Sequence, residues 1–139
     1  MKNIVLITGG GKRLGSLIAK ELSKESFHIV LHYNKSEKQA LETKDEIIKN
    51  GGKVDLIRKE ITSENDAMDL IGESINFLED VENQQFTLIN NASAFKYDQG
   101  HDFTENILDE HIHANFKIPA FLVKSLNKHL NEKFNGNVI

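Results

Sequence analysis

Four consecutive apolar residues, Ile4-Val5-Leu6-Ile7, run into Thr8 and three glycines, and then into a helical period carried by Leu14, Leu17, Ile18 and Leu22. No other feature constrains the fold as much. A short apolar run without alternation is a strand covered on both faces. A glycine turn that opens directly into a helix is the start of a β-α-β unit. The same order recurs down the chain. His28-Ile29-Val30-Leu31-His32-Tyr33 is a second strand, and residues 36–50 are a helix with Ser36 as its cap and Ala40, Leu41, Ile47 and Ile48 as its stripe. Gly51-Gly52 ends that helix. Val54-Asp55-Leu56-Ile57 is a third strand. Thr62-Ser63-Glu64-Asn65 opens a third helix carried by Met68, Leu70, Ile71, Ile75 and Leu78, and Phe86-Thr87-Leu88-Ile89 is a fourth strand. A loop over residues 93–103 precedes a long helix over 104–130, on which Ile107, Leu108, Ile112, Phe116, Phe121, Leu122 and Leu126 recur and which Pro119 kinks or breaks. Gly136-Asn137-Val138-Ile139 reads as the start of a fifth strand. The expected fold is therefore α/β, a doubly wound parallel sheet of Rossmann-like type, truncated at the start of the fifth strand.

Composition narrows the function. A chain of 139 residues with 39% hydrophobic content is one folded domain. It has no cysteine, which removes disulfides, thiolate-ligated zinc and thiol nucleophiles together. Lys+Arg is 17 against 21 Asp+Glu, a net charge of −4, without the basic stripe of a nucleic-acid binder. No apolar run reaches the length of a membrane span, and no leader pattern follows Met1, so a cytoplasmic protein is expected. The six histidines show no ligand spacing: His111 and His113 are two apart and face different sides of a helix, and His28, His101 and His129 have no partner, so no metal is expected. Asp98 and Glu105 read as loop and helix-start carboxylates.

The turn Thr8-Gly9-Gly10-Gly11-Lys12-Arg13-Leu14-Gly15 suits a phosphate. Glycine permits the tight turn and close backbone approach, and the helix behind it offers unpaired N–H groups and a partial positive charge. It lacks the Gly-Lys-Ser/Thr end of a Walker loop, and Leu14 breaks a strict G-x-G-x-x-G.

This turn resembles the Thr-Gly-x-x-x-Gly-x-Gly cofactor motif of the short-chain dehydrogenase/reductase family, with Thr8, Gly9 and Gly15 matched and Arg13 in place of the middle glycine. Asn90-Asn91-Ala92-Ser93 resembles that family's Asn-Asn-Ala-Gly. The Lys12-Arg13-Leu14-Gly15 turn, His32-Tyr33-Asn34-Lys35-Ser36 after the second strand, and Asn-Asn-Ala-Ser together are similar to the pteridine reductase branch. The resemblance runs through the whole chain and corresponds to the N-terminal half of a family member. It implies that residues 1–139 are the incomplete N-terminal part of an NADP-binding Rossmann domain. The cofactor site would comprise Gly9, Lys12, Arg13, Leu14, Gly15, His32, Tyr33, Asn34, Lys35, Ser36, Glu60, Ile61, Asn91, Ala92 and Ser93. Glu60 stands where the family has Asp beside the adenine, and it serves equally as a solvated carboxylate. Phe95 would stack on a flat pterin substrate or pack back on the core. Asn115 would be the family's active-site Asn, which holds a helix distortion and a proton-relay water, or else a polar residue on an amphipathic helix.

NADP(H) is favoured over NAD(H) on physical grounds. Dinucleotide folds that select NAD place a carboxylate about 20 residues past the glycine motif to hold the ribose 2′-hydroxyl. Here the second strand ends in Leu31-His32-Tyr33-Asn34-Lys35-Ser36, with no carboxylate before Glu37. A 2′-phosphate would meet the fork of Arg13, the Ser36 hydroxyl and Lys35.

The family's proton donor is a Tyr-x-x-x-Lys pair preceded by a Ser or Asp. This chain has two tyrosines, Tyr33 and Tyr97, followed four places on by Glu37 and His101. The chain alone is therefore expected to be inactive, with a second polypeptide carrying the C-terminal half as the partner that would complete it. A 3-oxoacyl carrier-protein reductase-like fragment, a non-catalytic remnant of a split or truncated gene, and a helix-mediated interaction module are the alternatives. A fourth strand left at a sheet edge predicts a homo-oligomer.

Overall fold

A computed structural model of the chain describes residues 3–78, 84–97, 99–130 and 134–139. Five strands, β1 (Ile4–Ile7), β2 (His28–Tyr33), β3 (Lys53–Arg58), β4 (Gln84–Ile89) and β5 (Phe134–Val138), form one sheet in the order β3-β2-β1-β4-β5. Every pairing is parallel. The helices are α1 (Arg13–Lys24), α2 (Glu37–Lys49), α3 (Glu64–Ile75), α4 (Glu105–Ile112) and α5 (Ile118–His129), with a π-helical segment His113–Lys117 between the last two. This is the doubly wound, Rossmann-like arrangement expected from the strand-helix alternation.

The period-two geometry of β1 divides the core. Ile4 and Leu6 join Val30, Phe86 and Leu88 under α3 and α5, through Leu70, Ile71, Leu122 and Leu126. Val5 and Ile7 face the other way, with Ile29, Leu31 and Ile89 under α1 and α2, through Ala19 and Ile47. A strand buried on both faces has no polar side to show, which is why β1 and β2 read as unbroken runs.

Several sequence expectations need correction. The fully buried positions of α1 are Gly15, Ser16, Ala19 and Ser23; of the expected stripe, Ile18 and Leu22 pack against the core, whereas Leu14 and Leu17 are exposed. Within α2 the buried positions are Ala40, Thr43 and Ile47, and Leu41 and Ile48 face outward. Ser36 precedes α2, but its side chain makes no capping hydrogen bond. Ser63 and Thr104 do cap, accepting from the N–H of Asp66 and Ile107. Strand β4 is not an edge. β5 pairs with it from Gln84↔Phe134 to Leu88↔Val138, and Asn90 N–H adds a bond to the Ile139 carbonyl at 2.8 Å. The edges are β3 and β5.

The expected long helix is interrupted, and Pro119 gives the reason. Proline has no N–H for the carbonyl four residues back, that of Asn115, and its ring crowds that carbonyl. The helix widens over 113–117 instead, and Ile118 N–H reaches back five residues to the His113 carbonyl.

Candidate functional site

In the strand order 3-2-1-4-5 the crossovers diverge on either side of β1, between β1 and β4. An open α/β sheet has its crevice at such a point, beyond the C-terminal strand ends. A cleft of about 530 Å³ lies there. The glycine turn supplies Gly9, Lys12, Arg13 and Leu14 to it. The end of β2 and the loop after it supply His32, Asn34, Lys35 and Ser36, and the segment after β4 supplies Asn91, Ala92 and Ser93. Three cations and no carboxylate line it. Of the other expected residues, Gly15 is buried beneath the turn and Tyr33 is buried with its hydroxyl donating to Glu37 at 3.4 Å. Glu60 is exposed, and Ile61 packs on the core under α3 and α5, so neither lines the cleft.

The turn is built for close approach. Gly9 has φ +61°, and a Cβ there would lie 2.9 Å from Ala92 Cα. A Cβ on Gly15 would stand 2.6 Å from Asn91 Nδ2 and 2.7 Å from the Gly9 carbonyl oxygen. Arg13, standing where the family motif has glycine, has φ +53°, a left-handed conformation that accounts for glycine at that place. Behind the turn, α1 has no side-chain cap and no acidic residue in its first turn, so its leading N–H groups carry no side-chain anion.

Side chains from the flanking strands hold the turn. Thr8 Oγ1 accepts from the N–H groups of Asn91 (3.1 Å) and Ala92 (3.0 Å). Asn91 Nδ2 donates to the carbonyls of Thr8 (3.0 Å) and Gly9 (3.1 Å). From the other side, His32 Nδ1 accepts from Gly9 N–H at 3.3 Å, and its Nε2 faces the Lys59 carbonyl at 2.8 Å. Burial pushes the His32 imidazole below its ordinary range; the bond to the Lys59 carbonyl opposes this, and the Lys59 charge adds to it. Asn90 behaves differently from its neighbour: its side-chain Oδ1 is buried without a partner. Thr8 was matched from sequence as part of the motif but not placed in the site, and the Lys59 carbonyl was not singled out at all. The Thr-Gly pair that opens the motif was the available signal for Thr8, and nothing local marks Lys59.

A second group gathers at the widened helix. Asn115, inside the π segment, accepts from Ala94 N–H at 2.8 Å and donates to the Ala94 carbonyl at 2.9 Å, tying the chain after Ser93 to the helix. His111 Nε2 accepts from Lys96 N–H, and its ring stacks on Phe95 at 6.4 Å with 18° between planes. Phe95 is 81% exposed, so it does not pack back on the core. The Lys96 ammonium beside Glu110 holds that carboxyl below the usual range. His113 Nε2 meets the Thr62 carbonyl at 2.9 Å and His129 Nδ1 the Ser125 carbonyl at 2.8 Å. Among the described residues no cluster of three or more His, Cys, Asp or Glu could hold a metal, and no helix is long and apolar enough to cross a membrane. Asp98 lies outside the described residues.

Relatives fit this geometry. The family model for short chain dehydrogenase matches residues 3–139. A hydroxynaphthalene reductase-like protein, Arp2 of Metarhizium anisopliae, is 28% identical over 91% of the chain and 46% of its own length. The short-chain dehydrogenase/reductase homolog YusS of Bacillus subtilis is 31% identical over 70% of the chain and 85% of its own length. Among solved structures, FolM alternative dihydrofolate reductase 1 from Brucella canis, complexed with NADP, superposes with a TM-score of 0.80 at 27% identity, over 97% of the chain and 53% of that protein. The chain thus spans about half the length of Arp2 and of the FolM protein. With the motif, the sheet order and the family match in agreement, the chain belongs to the short-chain dehydrogenase family.

Proposed function

We propose that the cleft binds NADP(H), and that the chain is the nucleotide-binding portion of a short-chain oxidoreductase resembling pteridine reductases. One observation carries this reading: an uncapped helix N-terminus behind a glycine turn opens on a cleft lined by Lys12, Arg13, Lys35 and Ser36 with no carboxylate. A pyrophosphate suits the helix end, and a 2′-phosphate suits the cations. At Gly9 and Gly15 a Cβ would collide with Ala92 and Asn91, so glycine there lets the segment after β4 close against the turn. The 27% identity to a FolM protein complexed with NADP supports the same assignment. When bound, the nicotinamide supplies the hydride; the chain's own residues bind, orient and exclude water. Phe95, exposed two residues beyond Ser93, is the ring we assign to a flat substrate, and Asn115 the residue that keeps the widened helix in place beside it. A cytoplasmic setting suits this cofactor and a chain without cysteine.

Proton donation is the weak point of the chain as an enzyme. Tyr33 is buried on Glu37 and Tyr97 has no lysine four places on. The donor would come from outside residues 1–139, and a second polypeptide carrying it is the partner we assign. Fluorescence titration with NADPH and NADH at matched salt tests the binding assignment. Tighter binding of NADPH is expected, and equal affinities would overturn it. The purified chain is expected to show no turnover of dihydropterin or acetoacetyl thioester. A rate abolished by a substitution within residues 1–139 would reveal a donor among them.

A further inference from the structure

Among the described residues His32 is the side chain that reaches the Gly9 N–H, and it links the turn after β1 to β2 and to the end of β3. Its Nδ1 accepts from Gly9 N–H at 3.3 Å, the peptide next along, Gly10 N–H, donates to the His32 carbonyl at 2.9 Å, and Nε2 lies 2.8 Å from the Lys59 carbonyl beyond β3. These partners dictate the proton. A carbonyl requires Nε2 to carry hydrogen, and an N–H requires Nδ1 to carry a lone pair, so the ring is neutral in the Nε2–H form. The carbonyl of that same peptide, the Thr8 carbonyl, accepts from Asn91 Nδ2 at 3.0 Å, and the Gly9 carbonyl of the next peptide accepts from the same nitrogen at 3.1 Å. Both polar groups of the Gly9 residue thus rest on side chains that flank β1, His32 from β2 and Asn91 from the segment after β4, and of the two holders only His32 titrates.

We propose that His32 is a positioning residue that makes the glycine turn proton-sensitive: neutral, it holds the Gly9 peptide in the orientation seen here; protonated, it turns an N–H against an N–H, releases that peptide and weakens nucleotide binding. The inference rests on the NADP(H) reading above and adds regulation to it. The surrounding charges favour the neutral ring. Lys12 and Arg13 on the turn and Lys35 after β2 line the same cleft, and Lys59 follows β3, its ammonium paired with Asp69 and Glu73 of α3. The nearest carboxylates in sequence do not offset them: Glu37 is engaged by the Tyr33 hydroxyl and lies 3.9 Å from Arg58, and Glu60 is exposed. The ring is 4% exposed, so an imidazolium there would lack both water and a counter-ion.

Two measurements on the full chain decide it. In the ligand-free protein, the Gly9 amide resonance is followed by NMR alongside the His32 ring nitrogens, from about pH 8 to about pH 5.5. The expected result is that Gly9 shifts with the midpoint of His32. A Gly9 amide that stays put while His32 titrates overturns the proposal, and so does a His32 that stays neutral until the chain unfolds. The second measurement is NADPH affinity over the same range for the wild type and His32→Asn, whose Oδ1 accepts without titrating. The 2′-phosphate of the ligand itself titrates near pH 6, so the wild type is read against the variant with the same ligand. Wild-type affinity is expected to fall relative to His32→Asn by up to about tenfold per pH unit below the His32 midpoint. A constant ratio overturns the proposal. Absence of NADPH binding at every pH would refute the nucleotide reading instead, leaving the Gly9 resonance to decide the latch.

Discussion

The two ends of the crevice are built on different terms. At the glycine turn, His32 of β2 and Asn91 after β4 meet the backbone from opposite sides, Thr8 and His32 are buried, and each polar group of the Gly9 residue has a partner. At the widened helix nothing is buried in α4 or the π segment, and Phe95, Tyr97, Leu108, Ile112 and Phe116 are all exposed. The first end is a completed socket. The second is held by surface hydrogen bonds and a stacked pair of rings, and it leaves apolar area in water. Rigid turns bind what is common to a family of ligands, and open faces await whatever closes them, whether substrate or chain.

The largest effect is expected where the socket has no slack. Gly15→Ala places a methyl 2.6 Å from Asn91 Nδ2 and 2.7 Å from the Gly9 carbonyl oxygen. It should cost about 1–3 kcal/mol of stability and a comparable share of NADPH affinity, roughly tenfold to a hundredfold. Gly72→Ala is the control, since a Cβ there meets nothing within 4 Å and α3 should gain about 0.5–1 kcal/mol. Equal melting temperatures for the two variants would break the comparison.

Arg13→Gly should separate affinity from stability. Its φ of +53° costs a non-glycine residue about 1 kcal/mol, so the variant is expected to melt higher. It should also lose most of a preference for NADPH over NADH, about tenfold, because the planar fork is gone. A variant that is both less stable and equally selective would show that Arg13 serves the turn rather than the ligand.

At the open end, the apolar face and the β5 edge, where Val138 and Ile139 are 46% and 74% exposed, should drive self-association. Sedimentation at micromolar concentration is expected to show a dimer or larger species, shifted toward monomer by Phe116→Lys. A monomer in the wild type would refute this.

His32 also gives stability a pH dependence of known sign. Its folded-state pKa is lowered, so the unfolded chain takes up the proton first as pH falls below about 6.5. Stability is therefore fully present above that value and is lost as pH falls through the folded-state midpoint. His32→Asn should flatten the slope in thermal melts across this window, and an unchanged slope would assign it to other groups.

How much of this was legible beforehand follows from how local each cause is. The strands were readable because a doubly covered strand has one composition throughout, and the turn because glycine is favoured at a φ of +61° and at the close approach of Ala92 to Gly9. The buried face of α1 was misread in part because hydrophobic period assumes that burial selects large side chains, whereas the turn leaves no room for a side chain at Gly15, Ser16 bonds Thr43 of α2, and Ala19 is buried while Ile18 and Leu22 pack at the margin of the core. The edge was misplaced because pairing of β5 begins at Phe134, two residues before the apolar signal at Gly136-Asn137-Val138-Ile139. The role of His32 was invisible, since its partners are 23 and 27 residues away and one of them is a backbone carbonyl.

The smallest expected effect compares two asparagines that do similar work at the two ends. Asn91 Nδ2 holds two carbonyls of the turn from a half-buried position, while Asn115 makes an equally short pair of bonds to Ala94 in the open. Water competes for the second pair and much less for the first, so equal geometry should not give equal worth. Asn115→Ala is expected to lower stability by less than about 1 kcal/mol and to raise hydrogen exchange at Ala94, with NADPH affinity moved less than about threefold. Asn91→Ala should cost about 1–3 kcal/mol, because it leaves the Thr8 and Gly9 carbonyls short of a donor inside the socket. If Asn115→Ala proves the more damaging of the two, the widened helix is the organising centre of the crevice, and the turn is shaped by it.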